Sequence, residues 1–98
     1  MRSRYIVCYD IANPKRWRQV YRIMRGFGDP LQYSVFRCDL SATERVLLLM
    51  AVTEVINQRE DRIMLVDVGP VDGRGRTCIE ALGKPLEVAP TERITVVV

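Results

Sequence analysis

Histidine is absent from the 98 residues, and this one absence excludes a large share of enzyme chemistry. It removes Ser-His-Asp and Cys-His arrangements, the usual general base near neutral pH, and most zinc sites. Catalysis by such a chain must lean on carboxylates and a hard cation such as magnesium. Cysteine is scarce too: Cys8, Cys38 and Cys78 form an odd set of three with no close pair, unlike a zinc or thioredoxin-like motif. They read as small buried hydrophobes in a reduced, cytoplasmic setting.

Long apolar runs are also missing. The longest, Val46 to Val52, is seven residues, against the roughly 20 of a membrane-spanning helix, so no membrane is expected. The apolar stretch after Arg2 and Arg4 stops at Asp10, short of the roughly 7 to 15 residues of a secretory signal core. What remains is ordinary globular composition, 48% apolar and 28% charged, in a chain with room for one core.

The net charge of +3 conceals an uneven distribution. Residues 1–38 hold eight basic and two acidic side chains, net +6, while residues 39–98 hold seven and ten, net −3. An anionic partner for the first part is implied.

Arg4 to Asp10 reads as a strand with two apolar faces, Tyr5, Val7 and Tyr9 on one and Ile6 and Cys8 on the other. A strand of that kind needs cover on both sides, and in so short a chain a second subunit is the expected source of one cover. Asn13 and Pro14 supply a cap and a first helical residue for a helix over 14–25. Trp17, Val20, Tyr21 and Met24 form its packing face, and Lys15, Arg18, Arg22 and Arg25 form a basic stripe on the other. A solvated surface is the plain reading of that stripe. Against it, no acid interrupts the four cations, and Lys15, Arg16 and Arg18 crowd a helix N-terminus that disfavours positive charge unless phosphates neutralise it.

Gly26, Gly28 and Asp29-Pro30 read as a turn, followed by strand from Leu31 to Cys38 with a break near Gln32. Ser41-Ala42-Thr43-Glu44 has capping-box spacing and opens a second helix reaching about Asn57. That helix is apolar nearly all round, so one face belongs to the core and part of the rest is available to a partner. Asp61 to Val68 reads as a strand ended by Gly69-Pro70. The segment Gly73-Arg74-Gly75-Arg76 reads as loop without a role.

This order predicts an α+β chain, a ferredoxin-like βαββαβ sandwich with an extra C-terminal strand, dimerising sheet to sheet. The expected division is one domain over 1–98, with its core in 1–68, a loop-rich connection over 69–90 and a C-terminal strand over 91–98. Asp10 ends the first strand, with only Ile11 and Ala12 before Asn13. A lone Asp there is more often a turn residue or helix-flanking group than a ligand. Two copies facing each other across a twofold would offer two carboxylates to one magnesium ion.

Tyr9-Asp10-Ile11, Lys15-Arg16 at a helix start, and Gln32-Tyr33-Ser34-Val35-Phe36 after a glycine-rich turn resemble the small CRISPR-associated endoribonuclease family. The resemblance covers roughly residues 4–68. It implies a ferredoxin-like homodimer, magnesium held by both copies of Asp10, and metal-dependent cleavage of RNA or DNA phosphodiesters. It also implies assembly with the larger CRISPR integrase subunit, in which the dimer lies along a DNA duplex. Tyr9, Ser34 and Phe36 are then expected near the dimer centre, and Arg16 or Arg18 near nucleic acid. The residues leave two functions open: a magnesium-dependent endonuclease centred on Asp10, and a non-catalytic DNA-binding scaffold using Lys15, Arg16, Arg18, Arg22 and Arg25. No second acid, base or nucleophile beside Asp10 is evident from the sequence.

Overall fold

A computed structural model describes residues 1–84. The strands and helices run β1 (Ser3–Asp10), α1 (Pro14–Arg25), β2 (Asp29–Gln32), β3 (Val35–Leu40), α2 (Ala42–Thr53) and β4 (Arg62–Pro70), followed by a 3₁₀ turn over Arg74–Arg76. The strands form one antiparallel sheet in the order β2-β3-β1-β4, the α+β ferredoxin-like arrangement expected. The C-terminal strand expected over 91–98 lies outside the described residues. No helix among the described residues is long and apolar enough to cross a membrane.

The two central strands carry the core. Val7 and Tyr9 of β1 stand in register with Phe36 and Ser34's neighbourhood on one side and with Leu65 and Ile63 of β4 on the other. Val20 and Met24 of α1 and Leu48 and Val52 of α2 close over this surface, so Phe36, Met24, Leu48, Val7, Val20 and Cys38 are shut off from water. Removing a ring such as Phe36 from a site of this kind costs about 3–5 kcal/mol.

The helix starts follow from local chemistry. Asn13 Oδ1 accepts hydrogen bonds from the amides of Lys15 (2.8 Å) and Arg16 (3.0 Å), and Pro14 stands where no amide is needed. Ser41 and Glu44 close a reciprocal capping box, in which Ser41 Oγ accepts from the Glu44 amide and Glu44 Oε1 from the Ser41 amide.

Three boundaries differ from the sequence reading. Asp29 and Pro30 are in β2 rather than a turn: Gly28 lies against the Arg37 carbonyl and the Cys38 sulfur, where a Cβ would collide, so the chain is already against β3 there. The break near Gln32 is a hairpin turn at Tyr33-Ser34, with a register shift between Pro30 and Gln32. Among the described residues no residue other than glycine has positive φ, so this turn avoids the left-handed geometry of the usual two-residue loops, and a bulge accompanies it. The second helix ends at Thr53, not Asn57, because Asn57 is drawn into a tight loop, its carbonyl accepting from the Glu60 and Asp61 amides.

The glycine-arginine segment is likewise ordered. Gly75 is buried, and its carbonyl accepts from Arg4 Nη1 (3.0 Å) while Arg4 also grips Asp39 through two bonds of 2.7 and 3.0 Å. Only a glycine fits: a Cβ at this position would press on the Pro70 carbonyl and the Arg4 side chain. The connection after β4 therefore packs against the start of β1.

Arg2 forms two hydrogen bonds with Glu44, at 2.8 and 2.9 Å. Together with the capping box they lower the Glu44 pKa from 4.5 to about 2. A folded-state pKa below the unfolded one gives stability that is complete above the unfolded value and is lost as pH falls toward the folded one. Thermal midpoints should therefore hold between pH 7 and about 5 and decline between about pH 4.5 and 2. Glu44→Gln should make that decline shallower; a Glu44→Gln acid profile identical to the parent's would show that this pair does not operate.

Candidate active site

The end of β1 gathers most of the residues to which the sequence pointed. Asp10 is the last residue of β1, pairs in register with Arg62, and is exposed. By alternation it shares the sheet face of Ile6 and Cys8, opposite the helices. Among the described residues it makes no hydrogen bond or ion pair and belongs to no cluster of three or more metal-binding side chains. One chain thus offers a single free carboxylate, a donor suited to a hard cation that keeps much of its water.

The loop behind Asp10 is fastened by a residue that the sequence reading took only as a strand start. Asp61 accepts from the amides of Ala12 (2.9 Å) and Asn57 (2.8 Å) and from Arg16 Nε (2.8 Å) and Nη2 (3.2 Å). Its carboxylate is fully buried. The Arg16 guanidinium, aided by the two amides, lowers the Asp61 pKa from 3.8 to about 2. Asp61 therefore ties the loop after β1, the first turn of α1 and the lead into β4 to one point. The only sequence-level sign was an Asp placed before a strand and beyond a polar Asn-Gln-Arg-Glu stretch.

Arg16 also reaches Glu60 (2.9 Å), so its charge is neutralised from both sides within the chain. Lys15, Arg18, Arg22 and Arg25 differ: all are exposed and none forms an ion pair among the described residues. The stripe stands as four cations, with Arg16 turned away from it.

Tyr9 and Phe36, expected at a dimer centre, lie in the chain's own core on the helix side of the sheet, stacked with centroids 6.2 Å apart. They sit behind the Asp10 strand rather than on its open face. The Tyr9 hydroxyl is buried without a hydrogen-bond partner among the described residues, and burial pushes its pKa up, so it stays protonated near neutral pH. Ser34 holds the hairpin against this end of the sheet: its carbonyl accepts from the Tyr9 amide (3.1 Å) and its hydroxyl from Trp17 Nε1 (2.9 Å).

On the open face, Ile6, Cys8, Val35, Met64 and Val66 form an apolar band between the Arg4–Asp39 pair and Asp10, flanked on β3 by Arg37, which stands opposite Ile6 and pairs with Asp29. Met64 and Val66 are 50% and 48% exposed. No disulfide joins the three cysteines.

A family model described as CRISPR associated protein Cas2 matches residues 1–72. A protein of Rhodospirillum rubrum named CRISPR-associated endoribonuclease Cas2 1 is 40% identical over 83 residues, 85% of this chain and 80% of that protein. One of Geobacter sulfurreducens named CRISPR-associated endoribonuclease Cas2 is 37% identical over 87 residues, 89% and 90% of the two chains. The solved structure of Streptococcus pyogenes Cas2 superposes with a TM-score of 0.71 at 29% identity, covering 82% of this chain and 99% of the other.

Truncating Asp61 leaves two amides and the Arg16 guanidinium without their acceptor, so Asp61→Ala should lower stability by about 3–5 kcal/mol. Urea denaturation checks this as a lower midpoint at an unchanged slope. A loss below about 0.5 kcal/mol would mean that the loop after β1 is held by other contacts.

Proposed function

The chain belongs to the CRISPR associated protein Cas2 family, and we propose that two copies of it join through their open sheet faces to form a magnesium-dependent endonuclease that cleaves RNA. The observation that carries this reading is the position of Asp10. Its carboxylate is exposed and unengaged among the described residues, and it stands at the end of an apolar band that two helices leave uncovered. Burying such bands against each other about a twofold removes Met64 and Val66 from water. It also brings a second Asp10 toward the first, and one or two carboxylates, with water and phosphate oxygens, are what magnesium ordinarily takes. The name endoribonuclease borne by the relatives supports RNA as the substrate.

A bound divalent cation would polarise the scissile phosphate and lower the pKa of an attacking water. Asp10 of each copy would supply a carboxylate to hold that cation. Asp61 and Arg16 fix the loop that follows, so that the carboxylate leaves a rigid strand end. Arg18 and Arg22 bind neighbouring phosphates and offset charge that builds on the phosphorus oxygens.

A second reading is favoured by a specific observation: among the described residues no group of three or more acidic, cysteine or histidine side chains gathers at Asp10, so one chain does not by itself build a metal centre there. On that reading the dimer is a scaffold in the spacer-integration complex. It binds duplex DNA through phosphate contacts from Lys15, Arg18, Arg22 and Arg25 beside the larger integrase subunit, with no chemistry of its own.

Asp10→Asn should reduce magnesium-dependent RNA cleavage by more than about 100-fold, with RNA affinity and sedimentation as a dimer unchanged. Full cleavage by the variant removes Asp10 from the mechanism. Cleavage lost while spacer acquisition with the integrase subunit persists assigns the chain's cellular work to scaffolding.

Val66→Asp places a charge on a side chain that is already half exposed in the single chain, yet buried and unpaired if the open faces meet. It should yield a folded monomer in sedimentation experiments, with cleavage lost alongside. A Val66→Asp dimer of parental affinity would show that the subunits meet elsewhere.

A further inference from the structure

Beside the Asp10 end of the sheet, three aromatic rings form a continuous stack. Trp17 of α1 lies between Tyr21 at 5.1 Å and Tyr33 at 4.2 Å, with interplanar angles of 21° and 18°. Tyr33 is the outermost ring. It sits on the β2-β3 turn, covers Trp17 with one face, and remains 75% exposed. Its hydroxyl makes no hydrogen bond among the described residues. Pro30, Leu31 and Gln32 complete an open groove of about 260 Å³ along the stack. Arg18 and Arg25 stand three residues before and four after Tyr21, which makes them its neighbours on the helix surface, and Arg22 lies next to them on the free basic stripe.

We propose that the outer face of Tyr33 is a stacking platform for one unpaired base of a single-stranded RNA whose phosphates the cations of α1 hold. The inference rests on the reading of Arg18 and Arg22 as phosphate contacts and names a subsite for it. Positive charge selects a polyanion, and an exposed flat ring at the outer end of a stack that begins beside that charge selects one with free π-faces. In a duplex every base face is already stacked on its neighbours, so an aromatic ring at the surface meets only backbone and edges. In a single strand a splayed base can lie on the ring. Ser34 and Trp17 hold the platform still, since the indole N–H bonds the serine hydroxyl at 2.9 Å, so little ordering entropy is lost when a base arrives.

The test uses the intact dimer without magnesium, so that RNA is bound and not cut, with two probes: a single-stranded oligouridylate and a blunt RNA duplex of equal length. Tyr33→Ala and Tyr33→Leu should each weaken oligouridylate binding by about tenfold. Tyr33→Phe should bind like the parent, and duplex affinity should be the same for all. Leucine keeps an apolar cover over Trp17 without a π-face, so it separates stacking from packing, and thermal melting checks that each variant is folded. Parental binding by Tyr33→Leu, or equal weakening of both probes, overturns the proposal. The double variant Arg18→Ala with Arg22→Ala should weaken both probes. If it does so while every Tyr33 variant is neutral, the platform falls and the phosphate contacts stand. If neither set of variants alters binding, both fall.

Discussion

Two helices cover one face of a four-stranded sheet, and among the described residues only the turn around Gly75, at the Arg4 end, reaches the other. That imbalance governs the rest of the molecule. Strands β1 and β4 carry apolar side chains on both faces, so Val7 and Leu65 pack with Phe36 within the chain whereas Ile6, Cys8, Met64 and Val66 lie on the open face. An apolar band bordered by charged residues, Arg4 with Asp39 at one end, Arg37 along the β3 side and Asp10 at the other end, has the build of an interface core with a polar rim. A free carboxylate at the margin of such a band would gain meaning through symmetry, because the proposed twofold that buries the band would also duplicate the acid.

The charges of α1 divide by their surroundings. Arg16 and Arg18 are two residues apart and chemically identical, yet one is locked between Asp61 and Glu60 while the other is exposed without an ion pair among the described residues. The locked arginine contributes rigidity: through Asp61 it joins the strand end, the helix start and the loop before β4. The exposed ones leave a surface of positive charge with no ion-pair partner among the described residues. A buried carboxylate holding two backbone amides and a guanidinium is costly to disturb, which suits a residue whose task is to keep a strand end in place rather than to react.

The aromatic residues divide in the same manner. Tyr9 and Phe36 are interior packing, and Tyr21 meets Phe36 edge-on at 5.4 Å with planes at 69°. Trp17 carries this packing outward to Tyr33, where the stack ends in water. The second helix has its own outward apolar residues, Val46 and Met50, 49% and 61% exposed, on a surface with no accompanying charge pattern.

Much of this was legible in the order of residues. Alternation in β1, the Asn13-Pro14 start of α1 and the Ser41–Glu44 capping box are local devices, set by side chains within four residues of one another, and they specified the strand, the helix starts and the position of Asp10 at a strand end. The motif around Tyr9-Asp10-Ile11 and Gln32 to Phe36 was enough to indicate the family. What tertiary structure alone decided rests on contacts between distant segments. Asp61 reaches Arg16 across 45 positions, Gly75 reaches Arg4 across 71, and Tyr33 reaches Trp17 across 16. No periodicity encodes such pairings, because each depends on where the sheet brings two turns together. For that reason the sequence could count the cations of α1, and only the fold could show which of them remain free to bind.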